Sequence, residues 1–225
     1  GQRLPNTLIL ATTALAVSIA LGIPMGVFAA LSRNTLPDFV IALLSVIGVS
    51  VPAFWLGIVL ILTLSVNLNW LPSSGITTSG AEADPADLLK HLVMPATVLS
   101  TTVLPYVVRF TRSALLEVLQ QDFVRTATAK GLARVNVIYG HALRNALIPV
   151  ISIVGTLVPR LVGGAVVTEA VFGWPGMGRL AVEAANGRDY PLIVGITVVI
   201  AAVVIASSLL VDLAFTWLDP RIRLA

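Results

Sequence analysis

Asp122 to Pro149, DFVRTATAKGLARVNVIYGHALRNALIP, is the longest polar interruption with a helical pattern in an otherwise strongly apolar chain. It carries Arg125, Lys130, Arg134, His141 and Arg144 against a single acid, Asp122. Asp122 suits a helix start, where an acid is favoured. Phe123 to Lys130 then makes about two turns, stopped by Gly131. Leu132, Val135, Ile138, Tyr139 and Ala142 fall on one face at helical spacing, with Arg134 and Asn136 off it. Gly140 lets the chain turn before the next apolar stretch. The spacing therefore predicts two short helices at an angle. A basic amphipathic hairpin of this kind either rests on anionic lipid or presents a docking surface to a soluble partner. The pattern alone supports both.

What flanks this stretch sets the class of the protein. Of 225 residues, 57% are hydrophobic and only 11% charged, and the mean hydropathy is +0.96. That composition points to a membrane protein. The absence of cysteine excludes disulfides, thiolate metal sites and cysteine nucleophiles. Two His and three Met leave little for a metal, and neither a metal nor another cofactor is expected. An apolar run begins soon after Gly1 with no signal-peptide pattern before it, so the start reads as a truncation.

Five apolar stretches read as membrane spans, for which about 20 residues are needed. They are Thr7–Leu31, Phe39–Val66, Leu92–Val108, Asn145–Thr168 and Pro191–Leu213. Pro52 predicts a kink in the second. The third is short, holds Pro95 and Pro105, and is expected to continue as a helix past Arg109 and Arg112. Asn67–Lys90 and Glu169–Tyr190 read as loops, with Trp70 at the lipid–water interface. Thr216–Ala225 reads as a basic tail. Arg33, the basic residues from Arg109 to Arg144, Arg221 and Arg223 fall on one side, and fewer basic residues (Arg3, Lys90, Arg179 and Arg188) on the other. The positive-inside rule makes the first side cytoplasmic and puts both loops outside. The expectation is an all-α integral membrane protein with five transmembrane helices.

Within that topology, three motifs carry a resemblance. Arg125-Thr126-Ala127, then Gly131, then His141-Ala142-Leu143-Arg144-Asn145 resembles the "EAA" signature of ABC importer permeases. The usual Glu is Arg125 here, a change tolerated in the dipeptide/oligopeptide/nickel permease family. Thr168 to Leu180, TEAVFGWPGMGRL, continuing to Arg188-Asp189-Tyr190-Pro191, resembles the same family, specifically its dipeptide permease B-type subunit. So does the tail Leu218-Asp219-Pro220-Arg221-Ile222-Arg223. The resemblance covers essentially the whole chain. It implies a type I ABC importer permease fold over residues 1–225, with six transmembrane helices in the full-length family and a coupling region at residues 113–145. It also implies partners: a second homologous permease subunit, two ATP-binding subunits and an extracytoplasmic solute-binding protein, all in a lipid membrane and with no nucleic acid. Its implied function is import of peptides across the cytoplasmic membrane. Nickel or another small solute is the nearest alternative, and a secondary transporter or channel the generic one.

On that resemblance, the ATPase contact falls on Asp122, Arg125, Thr126, Ala127, Lys130, Gly131, Leu132 and Val135. The chain contains no G-x-x-x-x-G-K-[ST] phosphate loop. It is therefore expected to be no enzyme itself and to draw energy from a partner. His141 and Asn145 read as structural. Glu169 and Trp174, in the outer loop, are expected at the pathway or gate, with an interfacial turn anchored by Trp174 the alternative. Arg160 stands out inside the fourth span, where a charge costs about 2.5–3.5 kcal/mol on insertion scales. It is expected either to line the pathway or to snorkel to the outer interface. Asp212 reads as an inner-interface residue. Cysteines placed one at a time in this cysteine-free chain check the topology. Lys130→Cys should label with an impermeant maleimide only from the cytoplasmic side, and Ser73→Cys only from outside.

Overall fold

The computed structural model describes residues 3–78 and 84–218, and over them the chain is helical with no strand. Glu82, the tail with Arg221 and Arg223, and the side chain of Asp212 lie outside the described residues.

Helix α1 (Arg3–Leu31) runs unbroken through Pro24. Its Gly22 and Gly26 lie four apart on the face that meets α5 (Leu104–Val118). A Cβ on Gly26 would stand 2.6 Å from Thr111 Cβ and 2.7 Å from the Val108 carbonyl. A Cβ on Gly22 would stand 2.8 Å from Val107 Cγ1. Small residues at this spacing let two membrane helices approach closely, where dispersion rather than water exclusion holds them.

The second span is more than kinked. Helices α2 (Leu36–Ser50) and α3 (Ala53–Leu60) meet at 99°, and α3 continues as a π-helix over Ile61–Asn67. Pro52 lacks an N–H and bars its predecessor from the helical region. Val51 (φ −75°, ψ 124°) and Pro52 (φ −62°, ψ 130°) are accordingly both extended, and two extended residues in a row turn a kink into an elbow. The third span is a bent pair as well. Helix α4 (Pro85–Ser100) starts on Asp84, whose side chain accepts from the Ala86 N–H at 2.9 Å. It meets α5 at 55° across Thr101–Val103. Pro105 forces this break, while Pro95 is carried inside α4. Thr101 and Thr102 donate to the Val98 and Leu99 carbonyls, each at 2.7 Å, at the bend.

After α6 (Asp122–Ala129), a π-helical stretch Asn136–Ala142 runs into α7 (Leu143–Val171). Helix α8 (Met177–Asn186) then precedes α9 (Tyr190–Leu218). The expected Glu169–Tyr190 loop is thus mostly helix: the end of α7, a tight turn, and α8. Met177, Leu180, Ala181 and Ala184 had the spacing of an apolar helical face, hidden by the Gly- and Pro-rich run before them. They pack against Ile193, Ile196 and Ile200 of α9. Counting each bent pair as one crossing, the chain has the five spans expected.

The bundle has an outer and an inner core. Leu10, Leu99, Val103, Leu161 and Trp174 lie in the larger one. Val27, Leu115, Val118, Val124, Val137 and Ala146 form the other, at the basic end. Because Gly26 leaves no room for a side chain, Gly26→Val should destabilise the bundle by about 1–3 kcal/mol. Gly195→Ala, where a Cβ meets nothing within 4 Å, should leave it unchanged. Thermal unfolding in detergent distinguishes the two.

Candidate functional site

At the basic end, α6 is held by very little. Val124 and Ala127, three residues apart, are its buried residues and seat it on the inner core. Asp122 is the first helical residue rather than the cap; Gln121 caps the helix and makes no side-chain bond to it. Arg125, Thr126 and Lys130 are exposed, and Arg125 lies 3.5 Å from Asp122, which is also exposed. Gly131 then takes φ +78°. That left-handed conformation suits glycine, and it swings the chain out of α6 into the next helix.

That next helix differs from expectation. It is not a second short helix, and Gly140 makes no turn. Asn136–Val171 is one helix of 36 residues, so the predicted hairpin arm is the inner end of the fourth span. The predicted face changes with it. Ile138 and Ala142 are buried, joined by Val137, while Leu132, Val135 and Tyr139 are exposed. The α-helical period fails here because Asn136–Ala142 is π-helical, with i→i+5 bonding that shifts the phase of every later residue. Together with Phe123 of α6, Leu132, Val135 and Tyr139 leave large apolar side chains exposed among Arg125, Lys130 and Arg134. Exposed apolar groups rimmed by charge mark an interaction surface. His141 is exposed, and its carbonyl accepts from Asn145 Nδ2 at 2.7 Å.

At the outer end, the Glu169 carboxylate is fully buried. It accepts from Thr7 Oγ1 at 2.6 Å and from the backbone N–H groups of Gly178 at 2.7 Å and Arg179 at 3.0 Å. Thr7 Oγ1 in turn accepts from the Met177 N–H at 2.8 Å. A Cβ on Gly176 would collide with this carboxylate. Trp174 is also fully buried, and its Nε1 donates to the Asn6 carbonyl at 2.9 Å. Asn6 Nδ2 donates to the Pro175 carbonyl at 2.9 Å. The interfacial turn anchored by Trp174 is therefore corrected: its indole fills the outer core. Glu169 and Trp174 fasten α1, α7 and α8 to one another. Spacing gave no sign of the bonds to Asn6 and Thr7, which join residues more than 160 positions apart.

Arg160 stacks on Tyr106, with its guanidinium carbon 4.4 Å from the ring centroid. Such a contact is worth about 0.5–2 kcal/mol. Sequence reasoning also missed a bidentate ion pair. Arg112 Nε and Nη2 donate to the two Asp38 oxygens at 2.7 Å each, and the Asn34 N–H donates to Asp38 at 3.0 Å. This fork ties α2 to α5 beside a cleft of about 1130 Å³ that Tyr106 and Arg109 also border. The only visible signal was an acid in the otherwise basic Ser32–Asp38 turn.

The sequence profile of the family "binding-protein-dependent transport system inner membrane component" matches residues 22–224. The chain is 44% identical over 221 residues to the oligopeptide transport system permease protein AppB of Bacillus subtilis, covering 98% of this chain and 70% of that protein. It is 41% identical over 242 residues to the dipeptide transport system permease protein DppB of Escherichia coli K12, covering 98% of this chain and 71% of that protein. Its fold superposes on a chain of the inward-facing MetNI methionine ABC transporter with a TM-score of 0.77. That match has 18% identity and covers 97% of this chain and 95% of the other.

Removing the buried carboxylate strands its donors, at about 1–3 kcal/mol for each unsatisfied buried group. Glu169→Ala should therefore lower the thermal midpoint in detergent by more than Glu169→Gln, which keeps an acceptor oxygen.

Proposed function

Because this chain belongs to the family of binding-protein-dependent transport system inner membrane components, we propose that it is the permease subunit of an ATP-driven importer of peptides. It is a multi-pass inner-membrane protein with the type I ABC importer permease fold. The peptide class rests on the names of relatives sharing more than 40% of its residues, which favour peptides over nickel. With no phosphate loop in the chain, the driving force comes from two ATP-binding subunits. A second permease subunit completes the path, and an extracytoplasmic binding protein delivers the solute.

The observation that carries the reading is the mechanical arrangement at the inner end. A short helix anchored by two side chains is joined through Gly131 to an uninterrupted 36-residue helix. In the proposed mechanism, α6 and the exposed residues Leu132 and Val135 seat in a groove of the ATP-binding subunit, as amphipathic helices do. Asp122, Arg125, Thr126 and Lys130 rim that contact, and Ala127 keeps α6 on its own subunit. When the ATP-binding subunits close, they pull on α6. The long helix then transmits the displacement as a rigid rod to its outer end, where the Glu169 and Trp174 bonds pass it on to α1 and α8. Glu169 and Trp174 thus serve the outer gate by positioning helices, without touching solute.

The φ of Gly131 supplies the test. Proline cannot reach φ +78°, whereas asparagine tolerates the left-handed region. In the assembled transporter, Gly131→Pro should lower peptide uptake at least tenfold and abolish stimulation of ATP hydrolysis by the binding protein, with membrane insertion intact. Gly131→Asn should retain most of both. Undiminished uptake in the proline variant would remove the lever mechanism.

A further inference from the structure

Arg160 sits where both broken spans break. The cavity beside it, about 540 Å³, is bordered by Val51 and Pro52 at the α2–α3 elbow, by Thr101 and Thr102 at the α4–α5 bend, and by Gly163 and Gly164 of α7. Irregular backbone at membrane depth is tolerated where it lines a cavity. Two independent breaks and a pair of glycines around one space indicate a cavity built into the fold. Tyr106 also belongs to the wall of the cleft between α2 and α5, which carries Arg109 and reaches the Asp38–Arg112 pair. The two spaces therefore share a wall, giving a line of openings from mid-span to the basic end.

Arg160 turns toward the third span. Its stacking partner lies in the first turn of α5, beside the bend at the middle of the third span. The ring covers one face of the guanidinium. Among the described residues no carboxylate pairs with it, and its side chain is exposed. A planar guanidinium held flat on an aromatic ring keeps its edge N–H groups for a planar, bidentate acceptor, which a carboxylate provides.

We infer that Arg160, stacked on Tyr106, forms a carboxylate-recognition subsite on the translocation path and engages the C-terminal carboxylate of the peptide in transit. This rests on the peptide-importer function proposed above. An acidic side chain of the second permease subunit is the other source of the same chemistry, and the experiment separates the two.

The test uses the complete transporter, with its binding protein, in proteoliposomes. Uptake of trialanine is compared with uptake of trialanine amide for wild type, Arg160→Lys, Arg160→Gln and Arg160→Glu. The amide isolates the pathway from the binding protein, because each variant's acid-to-amide ratio is judged against wild type with the same binding protein. Arg160→Gln should lower trialanine uptake about tenfold and leave the amide within twofold, so that the ratio collapses. Arg160→Lys should keep an intermediate ratio, and Arg160→Glu should reverse the preference towards the amide. An equal fall for acid and amide in Arg160→Gln, with normal subunit assembly or without it, would overturn the subsite and assign the arginine to a protein carboxylate or to the fold. An unchanged ratio at full uptake would overturn it as well. If the wild-type transporter takes up neither compound while hydrolysing ATP in response to its binding protein, the peptide function itself fails, and the subsite with it.

Discussion

In hydrocarbon every backbone N–H and C=O must find a partner within the protein, and this constraint shapes the whole chain. A span can break only where something else satisfies the freed groups or where the break faces a cavity. Pro52 and Pro105 impose two such breaks. At the second, Thr101 and Thr102 turn their hydroxyls back onto carbonyls of the preceding helix. At the first, the elbow opens onto the cavity that Arg160 borders. The cavity is thus a consequence of where the prolines fall. Helices α1, α7 and α9 run through without such a break.

The two ends of the bundle are built on different physics. The outer end is polar and tightly bonded, with a buried carboxylate, a buried indole and a run of short backbone contacts joining α1, α7 and α8. The inner end is held by apolar contact and by one ion-paired fork between α2 and α5. Directional bonds fix a geometry, whereas apolar contacts slide. The end around Glu169 is therefore the stiffer of the two, and the end around α6 the more compliant. A single helix, Asn136–Val171, connects the two ends.

Much of this was visible in the sequence. Span count and the break at Gly131 follow from local rules: apolar length, and a breaker after two helical turns. What was hidden depended on long-range contact or on phase. The exposed position of Tyr139 could not be read, because an α-helical period was applied to the π-helical stretch Asn136–Ala142, and Leu132 precedes the helix altogether. Helix α8 was obscured by the glycines and proline that let the chain pass close to Glu169. Asp38 and Arg112 are 74 positions apart, and Thr7 and Glu169 are 162 apart; no local pattern connects such pairs. Arg160 could be noticed as anomalous but not located, since its position is set by Tyr106 on another helix.

The length of the helix beginning at Asn136 has a consequence for the membrane itself. Its 36 residues extend roughly 54 Å at about 1.5 Å per residue, whereas the hydrocarbon layer is only about 30 Å thick. Arg144 near its start and Glu169 near its end flank a stretch whose one charge is Arg160, so the rod is longer than the layer is thick and its inclination follows bilayer thickness. A thinner bilayer tilts a long span, a thicker one rights it. Acyl-chain length thereby becomes a mechanical variable, acting on the angle at which the inner end of the rod stands.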